Sequence, residues 1–382
     1  MSEVPSPAAS RAPFAEPIYV GGPLLPPLEV FVARLEEVWR SRWLTNGGAQ
    51  HAELEARLRD ELGTPSLLLF NNGTMALLAA CRALHLEGEV LTTPFTFPAT
   101  THVLAWSGLD PVFCDVDPAT MNLDPERLES RITPRTRAIL AVHVYGTPCE
   151  VAALQEIADR HGLKVIYDAA HAFGVRVDGR GIGSFGDASA FSFHATKLFH
   201  TAEGGALACR DPAVADEAAL LRNFGIRDEQ TVELPGLNGK LSEVHAALGL
   251  AVLDALPEER RHRRELADGY REELSGLPGL GLPAALPEGS VQYFVVRVDG
   301  ERFGCTRDEL HLTLRAANVF ARRYFYPLCS ESPAYRRLPS ADPRQLPEAH
   351  RAAREVLCLP LHSGVSLEQV RAISRVVRGA AG

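Results

Sequence analysis

From Glu89 to Cys209 the sequence alternates short apolar runs with amphipathic stretches, and this alternation limits the fold more than any other feature. VLTTP, PVFCDV, AILAVHVYG and KVIYDA read as strands, while FPATTHVLAWSG, DPERLESRI and CEVAALQEIADRHG between them read as helices. Strands apolar on both faces, each followed by a helix, predict an α/β fold with a mostly parallel central sheet covered by helices. SLLLF followed by NNGTMALLAACRAL extends the pattern upstream, and SAFSF and GALAC extend it downstream. Ahead of these, Leu28, Phe31, Val32, Leu35, Val38 and Trp39 recur at helical spacing, and Leu54, Leu58 and Leu62 mark a second helix that Gly63 ends.

Past Leu241 a helical stretch to about Leu256 leads into a charged helix, PEERRHRRELADGYREEL. A Pro/Gly-rich segment follows, then strand QYFVVRV, helix TRDELHLTLRAAN, a strand-like FARRYFYPL, and closing helices near Pro347 to Val356 and Ser366 to Arg378. The expected organisation is a loose tail over 1–17, a large domain over 18–256 and a smaller C-terminal α+β domain over 257–382. The basic run from Arg260 to Arg264 reads as a solvated helix face.

A net charge of −9 leaves no basic block to displace counterions from a nucleic acid, so a nucleic-acid partner is not expected. No apolar run reaches the roughly 18 to 20 residues that span a bilayer, and no membrane association is expected. Seven cysteines lie far apart without metal-ligand spacing. They read as buried thiols of a reducing compartment, the cytoplasm, with no metal site.

The chemistry centres on FSFHATKLFHTAEGGALAC, which sets Lys197 between strand-like runs and ahead of Gly204 and Gly205, a pair suited to a tight turn. Burial disfavours an ammonium, so a lysine here tends toward the neutral amine, a nucleophile suited to a Schiff base with a carbonyl. The alternative is a side chain that reaches from a strand end to water. If the carbonyl is that of pyridoxal phosphate, the chain must also supply a carboxylate, an anion site and a flat side chain. Asp168 ends KVIYD at the carboxyl end of a strand, where parallel sheets bind ligands, and can hold a proton on a pyridine nitrogen or simply cap a turn. The amides near Gly73 and Thr74 open a helix behind a strand and offer a phosphate site, or a plain connection with a capping threonine. Phe95 and Phe97 present aromatic faces or pack a core. His171 and His194 bond a phenolic oxygen, carry protons, or sit as satisfied core residues.

NNGTMAL, PFTFPATT, YDAAHAFG, SFHATK, AEGGAL and GLNGKLSEVHAALGL, in that order, resemble the motif set of the DegT/StrS family of pyridoxal-phosphate sugar aminotransferases, from about Pro17 to Val376. The resemblance implies the aspartate aminotransferase fold, pyridoxal 5'-phosphate as cofactor and Lys197 as the lysine that binds it. It also implies Asp168 at the pyridine nitrogen, Phe97 on the ring and His171 near the phenolic oxygen. Gly73, Thr74 and Ser192 would hold the phosphate, together with Asn238 from the neighbouring subunit of a homodimer. Many members acting on 3-keto sugars have glutamine where His171 stands and SFYPGK where this chain has SFHATK. The histidine forms, with ARRYFYPL, resemble enzymes that aminate C4 of a nucleotide 4-keto-6-deoxy sugar. Dehydratase relatives replace the lysine by histidine, and Lys197 is present. The implied activity is transfer of the amino group of L-glutamate to C4 of a dTDP-4-keto-6-deoxy-hexose. A 3-keto-sugar aminotransferase and a non-catalytic cofactor-binding regulator are the alternatives.

Overall fold

The computed structural model describes residues 14–283 and 289–382. Most of the expected tail, and part of the Pro/Gly-rich segment, therefore lie outside the described residues. The centre is a seven-stranded sheet in the order Leu68–Phe70, Gly205–Cys209, Ala188–Ser192, Lys164–Asp168, Thr136–Val142, Glu89–Thr92, Asp110–Phe113. Only Gly205–Cys209 runs antiparallel to its neighbours. The α/β fold expected from the alternation is the one observed, and both faces of the sheet carry continuous apolar clusters. The carboxyl ends of Lys164–Asp168 and Ala188–Ser192 and the start of Gly205–Cys209 meet at one edge, so the loop carrying Lys197 hangs over the end of the sheet.

The second unit is a three-stranded antiparallel sheet of Leu280–Gly281, Phe294–Val298 and Val356–Leu359. Helices Arg307–Ala316 and Leu367–Gly379 share an apolar cluster with it. Four details differ from expectation. Val356, expected to end a helix, instead begins the strand VLCL, whose four residues are all buried and pair with Phe294–Val298. FARRYFYPL keeps strand structure only at its first residue, in Val319–Phe320. That strand pairs in parallel with Ile18–Tyr19, so the first described strand joins the C-terminal unit and not the large sheet.

The fourth difference is at the expected domain boundary. The two expected helices there are one, Glu243–Leu274, with Pro257 inside it. Burial of Leu253, Leu256, Glu259 and Arg263 on either side holds the helix through a residue that removes one of its own hydrogen bonds. The basic run is a solvated face only in part: Arg261 and Arg264 are exposed, but Arg263 is not. Arg263 is fully buried, donates to Glu259 at 2.5 Å and to the carbonyl of Val291 at 3.3 Å, and ties the helix to the small unit. The separate apolar clusters support a proposed division into a large unit and a C-terminal one, joined through this helix.

Candidate active site

A cavity of ≈ 350 Å³ opens at the edge of the sheet where the three strand ends meet. Asp168, His171, Ser192, Lys197, Gly73, Thr74 and Phe97 all line it. The elements explain why. Lys197 follows a turn closed by its own N–H to the His194 carbonyl at 2.9 Å. Gln292, from the small unit, clamps both sides of it: its Oε1 accepts from the Leu198 N–H at 2.6 Å and its Nε2 donates to the Thr196 carbonyl at 3.0 Å. Downstream, Phe193 and Gly204 close the loop at 2.8 Å. Burial pulls the Lys197 amine down to about 8, while the carboxylate of Asp168 opposes that fall.

Asp168 is buried. Burial raises its carboxyl, and three effects oppose this: the Thr100 hydroxyl donating to Oδ2 at 2.7 Å, the Ala170 N–H donating to Oδ1 at 3.1 Å, and the charge of Lys197. Thr100 lies one turn along helix Pro98–Trp106, whose N-cap is Phe97. One helix start therefore presents an aromatic ring and, three residues on, the hydroxyl that fixes the carboxylate. Of the two phenylalanines, Phe97 is 58% exposed at the cavity and Phe95 is core, edge-on to Tyr145 and Phe325.

Helix Gly73–Ala83 begins against Ser192. Its cap is Asn72, which accepts from the Met75 N–H at 2.8 Å, so the amides of Gly73 and Thr74 have no partner within the helix. A Cβ on Gly73 would meet the Ser192 Cβ at 3.0 Å, and one on Gly205 would meet the Gly73 nitrogen at 2.5 Å. The glycine pair thus serves close approach and not a turn: neither Gly204 nor Gly205 has a positive φ. His171 is buried between Phe325, stacked at 5.8 Å, and Tyr293, edge-on at 5.1 Å. Its Nδ1 has no hydrogen-bond partner among the described residues. Burial first and the Lys197 charge second hold it well below the usual histidine range, as a neutral ring. Asn238 does not line the cavity. It is exposed, and its carbonyl accepts from the Asn71 side chain at 3.2 Å.

These residues fit pyridoxal phosphate: free amides beside a serine for the phosphate, a buried carboxylate for the ring nitrogen, an orphaned imidazole nitrogen for the phenolic oxygen and one buried amine. Sequence reasoning missed Thr100 and Gln292. The only signals were a threonine three residues after Phe97 and a polar residue between the apolar Val291 and Tyr293. Among the described residues no group of three or more metal-ligating side chains gathers, and no helix is long and apolar enough to cross a membrane.

Such a pocket at the end of this sheet defines a pyridoxal-phosphate-dependent transferase. The family model described as the DegT/DnrJ/EryC1/StrS aminotransferase family matches residues 28–378. The chain belongs to that family, and it is a pyridoxal-phosphate-dependent aminotransferase. A protein of Shigella dysenteriae named dTDP-4-amino-4,6-dideoxy-D-glucose transaminase is 44% identical over 365 residues, covering 95% of this chain and 99% of that one. An Escherichia coli protein of the same name is 43% identical over 367 residues, covering 95% and 98%. The solved structure of DesI in the presence of its TDP-sugar product superposes with a TM-score of 0.91 at 40% identity, over 96% of this chain and 93% of that one.

Proposed function

We propose that this enzyme moves the amino group of L-glutamate to C4 of a dTDP-4-keto-6-deoxy-hexose. The observation that carries the activity is the meeting of Lys197 and Asp168 in one cavity at the end of the sheet. The names of the Shigella and Escherichia coli relatives support the position on the sugar.

Pyridoxal phosphate, when bound, supplies a carbonyl that condenses with amines and a ring that withdraws electrons from the adjoining carbon. The chain's residues do the rest. With its amine pulled down to about 8, Lys197 is neutral in about a tenth of molecules at pH 7, far more than an ordinary lysine. With pyridoxal phosphate bound, Nζ of Lys197, once freed by the donor's amine, would carry the proton from Cα of glutamate across the substrate nitrogen to the cofactor's carbonyl carbon, and would carry it in the opposite direction when the sugar reacts. Asp168, held by Thr100 and Ala170, keeps the ring nitrogen protonated through a charge-assisted hydrogen bond. His171 would offer a neutral ring nitrogen to the phenolic oxygen, and Phe97 would offer an aromatic face to the cofactor ring. Gly73, Thr74 and Ser192 take the phosphate.

The active unit is a homodimer with shared sites. Two features support this: Asn238 is exposed and outside its own chain's cavity, and its neighbours Leu237 and, beside its bridge partner Asn223, Phe224 are exposed apolar residues. The place of action is the cytoplasm, supported by seven free thiols, six of them buried.

Incubation with L-glutamate and, separately, the 3-keto and 4-keto dTDP sugars tests the reading. Amination at C4, located by NMR, is expected. Amination of the 3-keto isomer alone would overturn it in favour of a C3 enzyme, and a cofactor that glutamate leaves unchanged would favour a non-catalytic regulator.

A further inference from the structure

The proposed reaction brings two different substrates to one cofactor in turn, and what they share is anionic: a carboxylate on the donor and a diphosphate on the sugar nucleotide. A site that serves both needs a cation within reach of the cofactor and of the space that takes the nucleotide. A second cavity of ≈ 510 Å³ adjoins the first and shares Thr196, Tyr293, Arg322 and Tyr324 with it. Its size suits a drug-sized ligand such as a nucleoside diphosphate. Arg322 is the only arginine among the described residues lining the cofactor cavity, where Asp168 and Glu203 are the carboxylates.

The second cavity is a basic island in an acidic protein. His311, Arg315, Arg322 and Arg323 line it. Among the described residues neither Arg315 nor Arg322 is paired with a carboxylate. Arg323 bonds Asp308 at 2.9 Å, but Arg307 bonds the same oxygen at 2.8 Å, so one negative charge is divided between two guanidinium groups. Burial lowers the His311 imidazole, and the charges of Arg323, Arg307 and Arg315 lower it further, as a positive field requires.

The guanidinium groups are also held in place by aromatic rings. Arg322 lies over Tyr324 at 5.8 Å, Arg315 over Phe320 at 5.4 Å and Arg323 over Tyr326 at 5.0 Å. Phe320 stacks in turn on Tyr19 at 5.1 Å. A guanidinium placed over a ring face still has N–H groups to offer a bidentate anion. The backbone of Arg322 is pinned by paired hydrogen bonds with Cys358, at 3.1 and 2.8 Å.

Resting on the reaction proposed above, we infer that Arg322 is the anion-recognition residue of both half-reactions, taking the α-carboxylate of the amino donor and then the diphosphate of the sugar nucleotide, with Arg315 and Arg323 serving the diphosphate alone. The two anions occupy Arg322 in turn, so each competes with the other for the enzyme.

The test uses holoenzyme and two separate readouts: dTDP binding by calorimetry, which involves no turnover, and the glutamate-driven spectral change of the bound cofactor in the absence of sugar. Arg322→Gln is expected to weaken dTDP binding and to raise the half-saturating glutamate concentration, each by about tenfold, the scale of one lost charge-assisted contact. Arg322→Lys should recover part of both. Arg315→Gln should weaken dTDP binding by about the same factor and keep the glutamate step within about twofold of wild type. Arg322→Gln with unchanged glutamate saturation, or with unchanged dTDP binding, overturns the shared role. Arg315→Gln that raises the glutamate requirement as strongly as Arg322→Gln overturns the division between the arginines. A wild-type enzyme that reacts with glutamate yet binds no dTDP overturns the substrate reading above and the diphosphate role with it. Failure of Arg322→Gln in an enzyme that does bind dTDP overturns this inference alone.

Discussion

Gly205→Ala probes the contact on which the phosphate site is built. The new Cβ would lie 2.5 Å from the Asn72 carbonyl carbon and the Gly73 nitrogen, and 2.7 Å from the Asn72 oxygen. All three are backbone atoms, so no rotamer relieves them, and restoring ordinary contact requires the helix start and the strand to part by about 1 Å. Overpacking of this kind costs about 1 to 3 kcal/mol, which lowers Tm by several degrees at ~2 to 4 °C per kcal/mol. The same displacement moves the Gly73 and Thr74 amides from the phosphate. Losing one charge-assisted hydrogen bond of about 1.5 to 3 kcal/mol weakens cofactor binding roughly 10- to 100-fold. The assay is titration of apoprotein with pyridoxal phosphate, alongside thermal melts of apo and holo forms. Gly379→Ala is the control, since among the described residues nothing outside its own helix turn lies within 4 Å of its Cβ position. Wild-type cofactor affinity and wild-type apo Tm in Gly205→Ala would refute the reasoning.

Gln292→Ala leaves the buried Leu198 N–H unpaired beside the reactive lysine, a cost of about 1 to 3 kcal/mol. It should slow both half-reactions without altering dTDP affinity, and a variant whose single-turnover rates match wild type would exclude the clamp. Because Lys197 is pulled down to about 8, the rate at which apoenzyme captures pyridoxal phosphate should rise with pH and level off above about 8. A rate still climbing to pH 10 would indicate an ordinary lysine. Mixed dimers of Lys197→Ala and Asn238→Asp chains contain one site with both residues intact, so part of the activity should return. No recovery in confirmed heterodimers would exclude the shared site.

The large sheet was legible because its strands are apolar runs and, from Leu68 to Asp168, each is separated from the next by a helix with its own period. The small unit was less so. Val356–Leu359 follows helix Pro347–Glu355 with no glycine or proline to mark the change, so only its pairing with Phe294–Val298 reveals it. Ile18–Tyr19 finds its partner at Val319–Phe320, a contact across most of the chain that no local pattern encodes. In the site, Lys197 and Asp168 stood out because each brings a charge to the end of an apolar strand. Phe95 and Phe97 are two apart, so composition did not separate the core ring from the exposed one; the helix start at Pro98 does. Thr100 and Gln292 carry no chemistry of their own, and their importance lies in hydrogen bonds to groups 68 and 94 residues away.

The most direct test of the central claim is borohydride reduction of the holoenzyme followed by mass mapping. The chain's lysines are Lys164, Lys197 and Lys240. Lys164 is half exposed near Asp187, and Lys240 donates to the Asn223 side chain at 2.8 Å. The account predicts the reduced cofactor on the Lys197 peptide alone, and its disappearance when glutamate is added before the borohydride. Label on Lys164 or Lys240, or label on Lys197 that glutamate does not remove, would contradict it.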